Sequence, residues 1–268
     1  MTSKRSNKKA KKAAKRKVQT RKQKHLQAEQ RSRFLIEDVV DEAMQRIEEG
    51  DFRTAERILS KLKKKHGGNP LIFYGLGVLE AFKENFSRAI GYFNSATDLR
   101  PDLVEAHFNK AVAYQQDADI SNAIRAFQKV VEYGEPDNDL VEAAQDKLDI
   151  YGKTMKEMYN LTIETFTEAQ DLFEAGFALM DNREWEKAIG KFQQAIEKNP
   201  HFSQPYGNMG MCYGFLGEKQ KSLDALDRAL EIDPGYEPAI FNRMAVEALE
   251  EGQKLNVPMK EIRYKGVS

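Results

Sequence analysis

The chain of 268 residues carries 42 Lys and Arg and 42 Asp and Glu, so its formal net charge is zero. Its single cysteine, Cys212, excludes a disulfide framework or a thiolate metal cluster within one chain and fits a reducing compartment. No stretch approaches the roughly 18 to 20 apolar residues of a membrane span, and the N-terminus lacks an apolar signal-peptide core. We therefore expect a cytoplasmic protein without a membrane partner, or a nuclear one if its source is eukaryotic.

The zero net charge conceals a strongly basic N-terminal segment. Residues 1–33 hold 14 Lys and Arg against a single Glu, whereas the rest of the chain holds 28 basic and 41 acidic side chains. The segment has almost no large apolar side chain, so we predict a disordered basic arm. Clustered cations bind phosphates without needing a fold. The phosphate-contact candidates are Lys8, Lys9, Lys11, Lys12, Lys15, Arg16 and Lys17.

A second interpretation of the arm involves the chain itself. Residues 131–186 hold 15 acidic and four basic side chains, a net charge of −11. Such a band can attract the arm, within one molecule or between copies, through a contact that weakens as salt rises. The sequence leaves open whether the arm binds nucleic acid, the ribosome or this acidic band.

Helical periodicity begins after the arm. Apolar residues recur at three- and four-residue spacing from Phe34 to Ile47 and from Phe52 to Leu62, with Gly50 between them, which predicts a helical hairpin. The hairpin is a repeated unit, because one position holds a small residue at intervals of 34, 34, 65 and 34 residues. These small residues are Ala55, Ala89, Ala123, Ala188 and Ser222.

The repeats divide the chain after the arm into four parts. We predict three helical-hairpin repeats over residues 34–136, two further repeats plus a capping helix over 169–255, and a C-terminal tail over 256–268. Residues 137–168 form either a degenerate hairpin or a linker. In the hairpin interpretation Tyr151-Gly152 is the turn, and Thr165 or Thr167 then begins the capping box of the next helix.

These hairpins resemble the tetratricopeptide repeat, a helix-turn-helix unit of about 34 residues with preferred aromatic, small and proline positions. The unit from Pro70 supplies Phe73, Leu76, Gly77, Ala89, Phe93, Ala96 and Pro101. The unit from Ala169 supplies Gly176, Trp185, Ala188, Phe192, Ala195 and Pro200, and the unit from Ser203 supplies Tyr206, Gly210, Tyr213, Ala229 and Pro234. The resemblance implies an all-α, right-handed helical-hairpin solenoid, in which small residues lie where two helices cross closely.

In the tetratricopeptide repeat family, the first helices of the hairpins line a concave groove. By this resemblance, a protein partner would bind in the groove at Phe173, Glu174, Phe177, Asn208, Met211, Phe215, Phe241 and Asn242. Some family members grip a terminal carboxylate with Lys, Arg and Asn in these helices. This chain departs from that pattern, because it lacks the basic members. The matching position of its units holds Asp41, Gly75, Asn109, Glu174, Asn208 and Asn242. The departure favours a neutral or basic ligand.

The sequence marks no catalytic centre. No two histidines have metal-ligand spacing, and we interpret His107 and Cys212 as packing residues. We expect no enzyme activity, no metal, no cofactor and no small-molecule substrate. The predicted function is a non-catalytic scaffold or adaptor that binds a peptide or helix of a partner protein. The alternative is a nucleic-acid or ribonucleoprotein-associated factor that uses residues 1–33.

Overall fold

The computed structural model describes residues 36–256, and within that range the chain forms twelve α-helices and no strand. The expected all-α helical-hairpin fold is confirmed. None of the described helices is long and apolar enough to cross a membrane. The helices are α1 (residues 36–48), α2 (Phe52–His66), α3 (Pro70–Phe82), α4 (Phe86–Leu99), α5 (Val104–Gln116), α6 (Ile120–Tyr133), α7 (Asp139–Tyr159), α8 (Ile163–Asp181), α9 (Trp185–Lys198), α10 (Ser203–Leu216), α11 (Lys219–Ile232) and α12 (Glu237–Glu247).

The chain divides into two compact units between Ala113 and Tyr114, inside α5. In the first unit, α3 packs against α2 and against α4. Short polar side chains start these helices. The carboxylate of Asp51 accepts a hydrogen bond from the Thr54 N–H at 3.1 Å, and Asn69, just before the proline that opens α3, caps that helix in the same way. Such caps satisfy N–H groups that a first helical turn leaves unpaired.

A glycine on the first helix of a hairpin lies against a large side chain of the second. A Cβ atom added to Gly77 would come within 2.5 Å of the buried Phe93, and one added to Gly176 within 2.6 Å of the buried Phe192. The two helices can approach this closely only because glycine has no side chain. The expected role of the small position in the first helix is therefore confirmed.

In the second unit the hairpins stack in succession. Helix α8 packs against α9, α9 against α10, α10 against α11 and α11 against α12, and α10 also contacts α8 and α12. Each hairpin buries its remaining apolar face against the next one, as in other repeat proteins. Their shared core consists of Met180, Ala188, Ile189, Phe192, Met211, Cys212, Leu226, Ala229, Ala239, Val246 and Leu255.

The hairpin interpretation of residues 137–168 is wrong. A single helix of 21 residues, α7, runs through the expected turn at Tyr151-Gly152. One glycine inside a helix costs only about 1 kcal/mol relative to alanine, which is too little to end it. The helix instead begins after the Asn138 cap and ends at Asn160, whose φ of 55° is left-handed. The chain thus places one unpaired helix between its hairpins.

Helix α8 begins earlier than the sequence predicted. Its N-cap is Thr162, whose hydroxyl oxygen accepts a hydrogen bond from the Thr165 N–H at 3.2 Å. The capping boxes expected at Thr165 and Thr167 are therefore wrong, because both residues lie inside the helix. Packing of α8 against α7 and α9 outweighs the weak helix propensity of its β-branched residues.

After α12 the chain folds back on the repeat core. Residues 248–256 contain no helix, and the Leu255 N–H donates a hydrogen bond to the carbonyl oxygen of Gly214 at 2.9 Å. The Leu255 side chain is buried where Gly214 leaves space beside Val246. Up to Asn256, the last unit therefore has no second helix. The rest of the predicted tail lies outside the described residues.

Candidate functional site

Helix α8 presents three of the candidate groove residues. The ring of Phe173 lies 5.1 Å from that of Phe202 and 5.8 Å from that of Phe192, so it packs against α9 and the start of α10. Phe177 is half-buried, with its ring 6.3 Å from that of Phe173. Glu174 is exposed. Helix α8 therefore offers a partner Glu174 and the open part of Phe177.

Helix α10 turns its candidate side chains into the protein. Met211 is only 1% exposed and Asn208 only 9%. The Asn208 amide nitrogen donates a hydrogen bond to the carbonyl oxygen of Gln204 at 3.0 Å. The Phe215 ring stacks on Trp185, with 4.5 Å between ring centroids and 14° between planes. All three candidates on this helix thus contribute to packing within the repeats.

Helix α12 has apolar side chains on two opposite faces. Ala239 and Val246 are buried against the core, whereas Phe241 is 66% exposed and Met244 is 63% exposed. Asn242 is half-buried. Met244 is not among the site residues predicted from the sequence. The signal in the sequence was that this unit has no full second helix, and among the described residues nothing after α12 covers this apolar face.

The structure brings the three first helices together, since α10 contacts both α8 and α12. It separates the eight candidates into two groups. The first packs against neighbouring helices, with Asn208 and Met211 buried and with Phe173 and Phe215 half-buried against aromatic rings. The second comprises Glu174 and Phe241, which are exposed, and Phe177 and Asn242, which are half-buried. The burial follows from the neighbouring hairpins and is not encoded in the repeat position alone.

The accessible surface carries little free positive charge. Helices α8 and α10 contain no Lys or Arg. The one basic residue of α12, Arg243, forms ion pairs with Asp227 and with Glu247. The Glu174 carboxylate accepts a single long hydrogen bond, at 3.4 Å, from Gln170. The electrostatics of these helices are therefore neutral to acidic.

The two potentially reactive side chains considered in the sequence, Cys212 and His107, are buried. Cys212 is buried, and burial, followed by the nearby Glu186, raises the pKa of its thiol to about 12. The thiolate, the reactive form, is therefore scarce at neutral pH. His107 is also buried, with its Nε2 2.8 Å from the carbonyl oxygen of Pro101. Among residues 36–256, no group of three or more His, Cys, Asp and Glu side chains is placed to hold a metal ion.

The phosphate-contact candidates of the basic arm, Lys8, Lys9, Lys11, Lys12, Lys15, Arg16 and Lys17, lie outside the described residues. Their role stays a prediction from the sequence.

Helical hairpins repeat along the chain, and three of them have a glycine where their two helices cross: Gly77, Gly176 and Gly210. This architecture defines the protein as a helical-repeat protein. Models of the tetratricopeptide repeat match residues 40–104, 74–139 and 203–236, which together make up half of the chain. The chain belongs to the tetratricopeptide repeat family.

Two curated relatives share the repeats over part of their length. Hsp70-Hsp90 organizing protein 1 of Glycine max is 22% identical over 205 residues, which cover 62% of this chain and 36% of that protein. The Hsp70-Hsp90 organizing protein of Triticum aestivum is 23% identical over 227 residues, which cover 69% of this chain and 37% of that protein. This chain therefore spans little more than a third of the length of these relatives.

A similar solved structure is the TPR2AB-domain:pHSP90-complex of yeast Sti1. It matches with a TM-score of 0.40 and 16% sequence identity, and the match covers 79% of this chain and 82% of that chain.

Proposed function

We propose that this chain is a non-catalytic interaction module that binds a segment of a partner protein on the surface of α8 and α12. The supporting observation is the apolar pair on α12, where Phe241 and Met244 are each more than half exposed. A contiguous apolar patch in contact with water commonly marks an interaction site. Exposed aromatic side chains of this kind provide the anchors that carry much of the binding energy at protein interfaces.

The charge pattern of the surface indicates the chemistry of the partner segment. A terminal or side-chain carboxylate would meet no unpaired cation on α8, α10 or α12, since Arg243 is already paired with two carboxylates. Glu174 is exposed and can accept hydrogen bonds from a Lys or Arg of the partner. We therefore propose a partner segment with apolar anchors and a neutral or basic character.

The relatives support the general role and not the identity of the partner. Their names describe proteins that organise Hsp70 and Hsp90, which fits an adaptor function built on the same repeats. The lack of free basic side chains on α8, α10 and α12 argues against capture of an acidic C-terminus by this surface.

Peptides selected from a random library by the wild-type chain test the proposal. The selected peptides should contain aromatic or aliphatic anchors and should carry a net charge of zero or above. The double substitution Phe241→Ser with Met244→Ser should weaken their binding tenfold or more, because burial of each such side chain contributes about 1.5–3 kcal/mol. Fluorescence anisotropy measures the affinity, and circular dichroism checks the fold.

The matched control is Ile150→Ser with Met158→Ser, which removes two exposed apolar side chains from α7. The control should bind the peptides like the wild-type chain. Equal losses in both variants, or selection of acidic peptides, would show that the α8 and α12 surface is not the binding site.

A further inference from the structure

Helix α2, in the first unit, carries a row of exposed basic side chains on its outer face. We call this set the basic row: Arg53, Arg57, Lys61 and Lys64. Steps of four, four and three residues place the four side chains on one face of a helix. Neighbouring cations are about 5–6 Å apart along the axis, and the row is about 16 Å long. The opposite face of α2 is buried through Ala55 and Leu59.

Within the part of the chain that the structure describes, no ion pair neutralises the basic row. The one carboxylate of α2, Glu56, is bonded instead to Lys83, the C-cap of α3, with 2.9 Å between Nζ and Oε2. The helix has six Lys and Arg in all, so its net charge is +5.

Many exposed basic side chains of the second unit, by contrast, have a carboxylate partner one turn away. Lys129 pairs with Glu132 at 2.6 Å, and Arg228 pairs with Glu231 at the same distance. Lys187 and Lys221 are paired in the same manner, with Glu184 and Glu218. The basic row differs from these cations because, among the residues that the structure describes, none of its members has a carboxylate within ion-pair distance; the nearest compensation is the electrostatic interaction of Arg57 with Asp51, the N-cap of α2.

The composition and surroundings of the basic row indicate which class of polyanion it binds. The row contains no apolar or aromatic side chain, whereas protein interfaces need apolar or aromatic anchors and are depleted in Lys. The apolar face of α2 is occupied within the repeats, so the helix cannot insert that face into a lipid surface. Protein–nucleic acid interfaces, however, are polar and strongly positive.

We propose that the basic row of α2 binds the phosphate backbone of a nucleic acid. Each Lys or Arg that neutralises a phosphate releases a condensed counterion, and this release supplies affinity without base readout. The absence of aromatic side chains from the row removes the means for base stacking, so binding is insensitive to sequence. The basic row is separate from residues 1–33 and gives the folded repeats a phosphate-binding face of their own.

A variant of the full chain with Arg53→Gln, Arg57→Gln, Lys61→Gln and Lys64→Gln tests the proposal. The matched control removes four paired cations from the second unit: Lys129→Gln, Lys187→Gln, Lys221→Gln and Arg228→Gln. Both variants change the net charge by the same amount. Circular dichroism should show equal helix content in the wild-type chain and in both variants.

The readout is anisotropy of a fluorescein-labelled single-stranded RNA over a range of salt concentrations. Each phosphate contact contributes about 0.7 to the slope of log affinity against log salt for a single strand. Loss of the basic row should therefore lower the slope by about 3, whereas the control should keep the wild-type slope. The proposal is overturned if the wild-type chain does not bind RNA, or if the two variants give the same slope.

Two further probes distinguish nucleic acid from other polyanions. Polyglutamate stands for an acidic protein segment, and vesicles of phosphatidylserine and phosphatidylcholine stand for an anionic membrane. The proposal predicts that RNA competes with either probe for the wild-type chain and that the row variant loses mainly RNA affinity. If the row variant keeps RNA binding and loses polyglutamate or vesicle binding, the partner is not a nucleic acid.

Discussion

The close approach of Gly176 to Phe192 allows one stability prediction to be worked out in detail. In Gly176→Ala, the new Cβ would lie 2.6 Å from Cε1 and 2.8 Å from Cδ1 of Phe192, a side chain with no exposed surface. Alanine favours a helix over glycine by about 1 kcal/mol. Overpacking of a rigid core costs about 1–3 kcal/mol, and these distances place Gly176→Ala at the upper end. We expect net destabilisation of about 2 kcal/mol.

The matched control is Gly190→Ala on α9, where an added Cβ meets no atom within 4 Å. This substitution gains the helix propensity without overpacking, so it should stabilise the protein by about 0.5–1 kcal/mol. Urea unfolding followed by circular dichroism gives both values. With a slope of about 2 kcal/mol per molar urea, the midpoints of the two variants should differ by about 1 M or more. A Gly176→Ala midpoint equal to or above that of Gly190→Ala would refute the packing argument.

Three further predictions concern individual side chains. Burial, with smaller contributions from nearby carboxylates, raises the pKa of Cys212 and of Tyr236 to about 12 each. The stability of the wild-type chain should therefore be complete below about pH 9 and fall as the pH rises towards 12, and urea midpoints should fall less steeply for Cys212→Ala. Thr162→Ala should lower the free energy of unfolding by about 1 kcal/mol, because it removes the N-cap of α8. The control Thr167→Ala, inside that helix, should leave the free energy of unfolding unchanged or raise it slightly in the same urea assay. Leu255→Ala should lower the free energy of unfolding by about 2–5 kcal/mol and should make residues 248–256 more susceptible to limited proteolysis. An unchanged cleavage rate would show that Leu255 does not hold this segment on the repeat core.

The repeat architecture could be derived from the sequence because its signals are local and recur. Small residues such as Ala188, and the pairs Gly77–Phe93 and Gly176–Phe192, mark the same helix crossing in different copies of the repeat. The error at Tyr151-Gly152 has a different origin. A lone glycine is a weak helix breaker, and the true ends of this helix are set by its caps, Asn138 and Asn160. The predicted turn gave the glycine more importance than these caps.

The candidate site could be predicted less well from the sequence. A position that faces the groove in an ideal repeat can be filled from the neighbouring hairpin, as Trp185 fills the space beside Phe215. Met211 is likewise buried because α10 lies between the hairpin α8–α9 and helix α12. Phe241 and Met244 are open because no second helix follows α12 within the described residues. Burial at these positions depends on neighbours that are distant in the sequence.

The unpaired helix α7 determines which segments can be deleted from this protein so that the remaining chain ends can be joined. Arg125, near the start of α6, donates a hydrogen bond to the carbonyl oxygen of Thr167, near the start of α8, at 3.1 Å. The first turns of α6 and α8 are therefore close to each other, and the end of α6 lies about 21 Å, the length of its 14 residues, from its own start. Deletion of α7 would leave a gap of that size.

Removal of the hairpin α8–α9 would instead bring two adjacent chain ends together. The ring of Tyr159, at the end of α7, lies 5.7 Å from that of His201, just before α10. Whole hairpins can thus be added to or removed from this chain by recombination or by design. Deletion of the single helix α7 would instead require a new connection between α6 and α8.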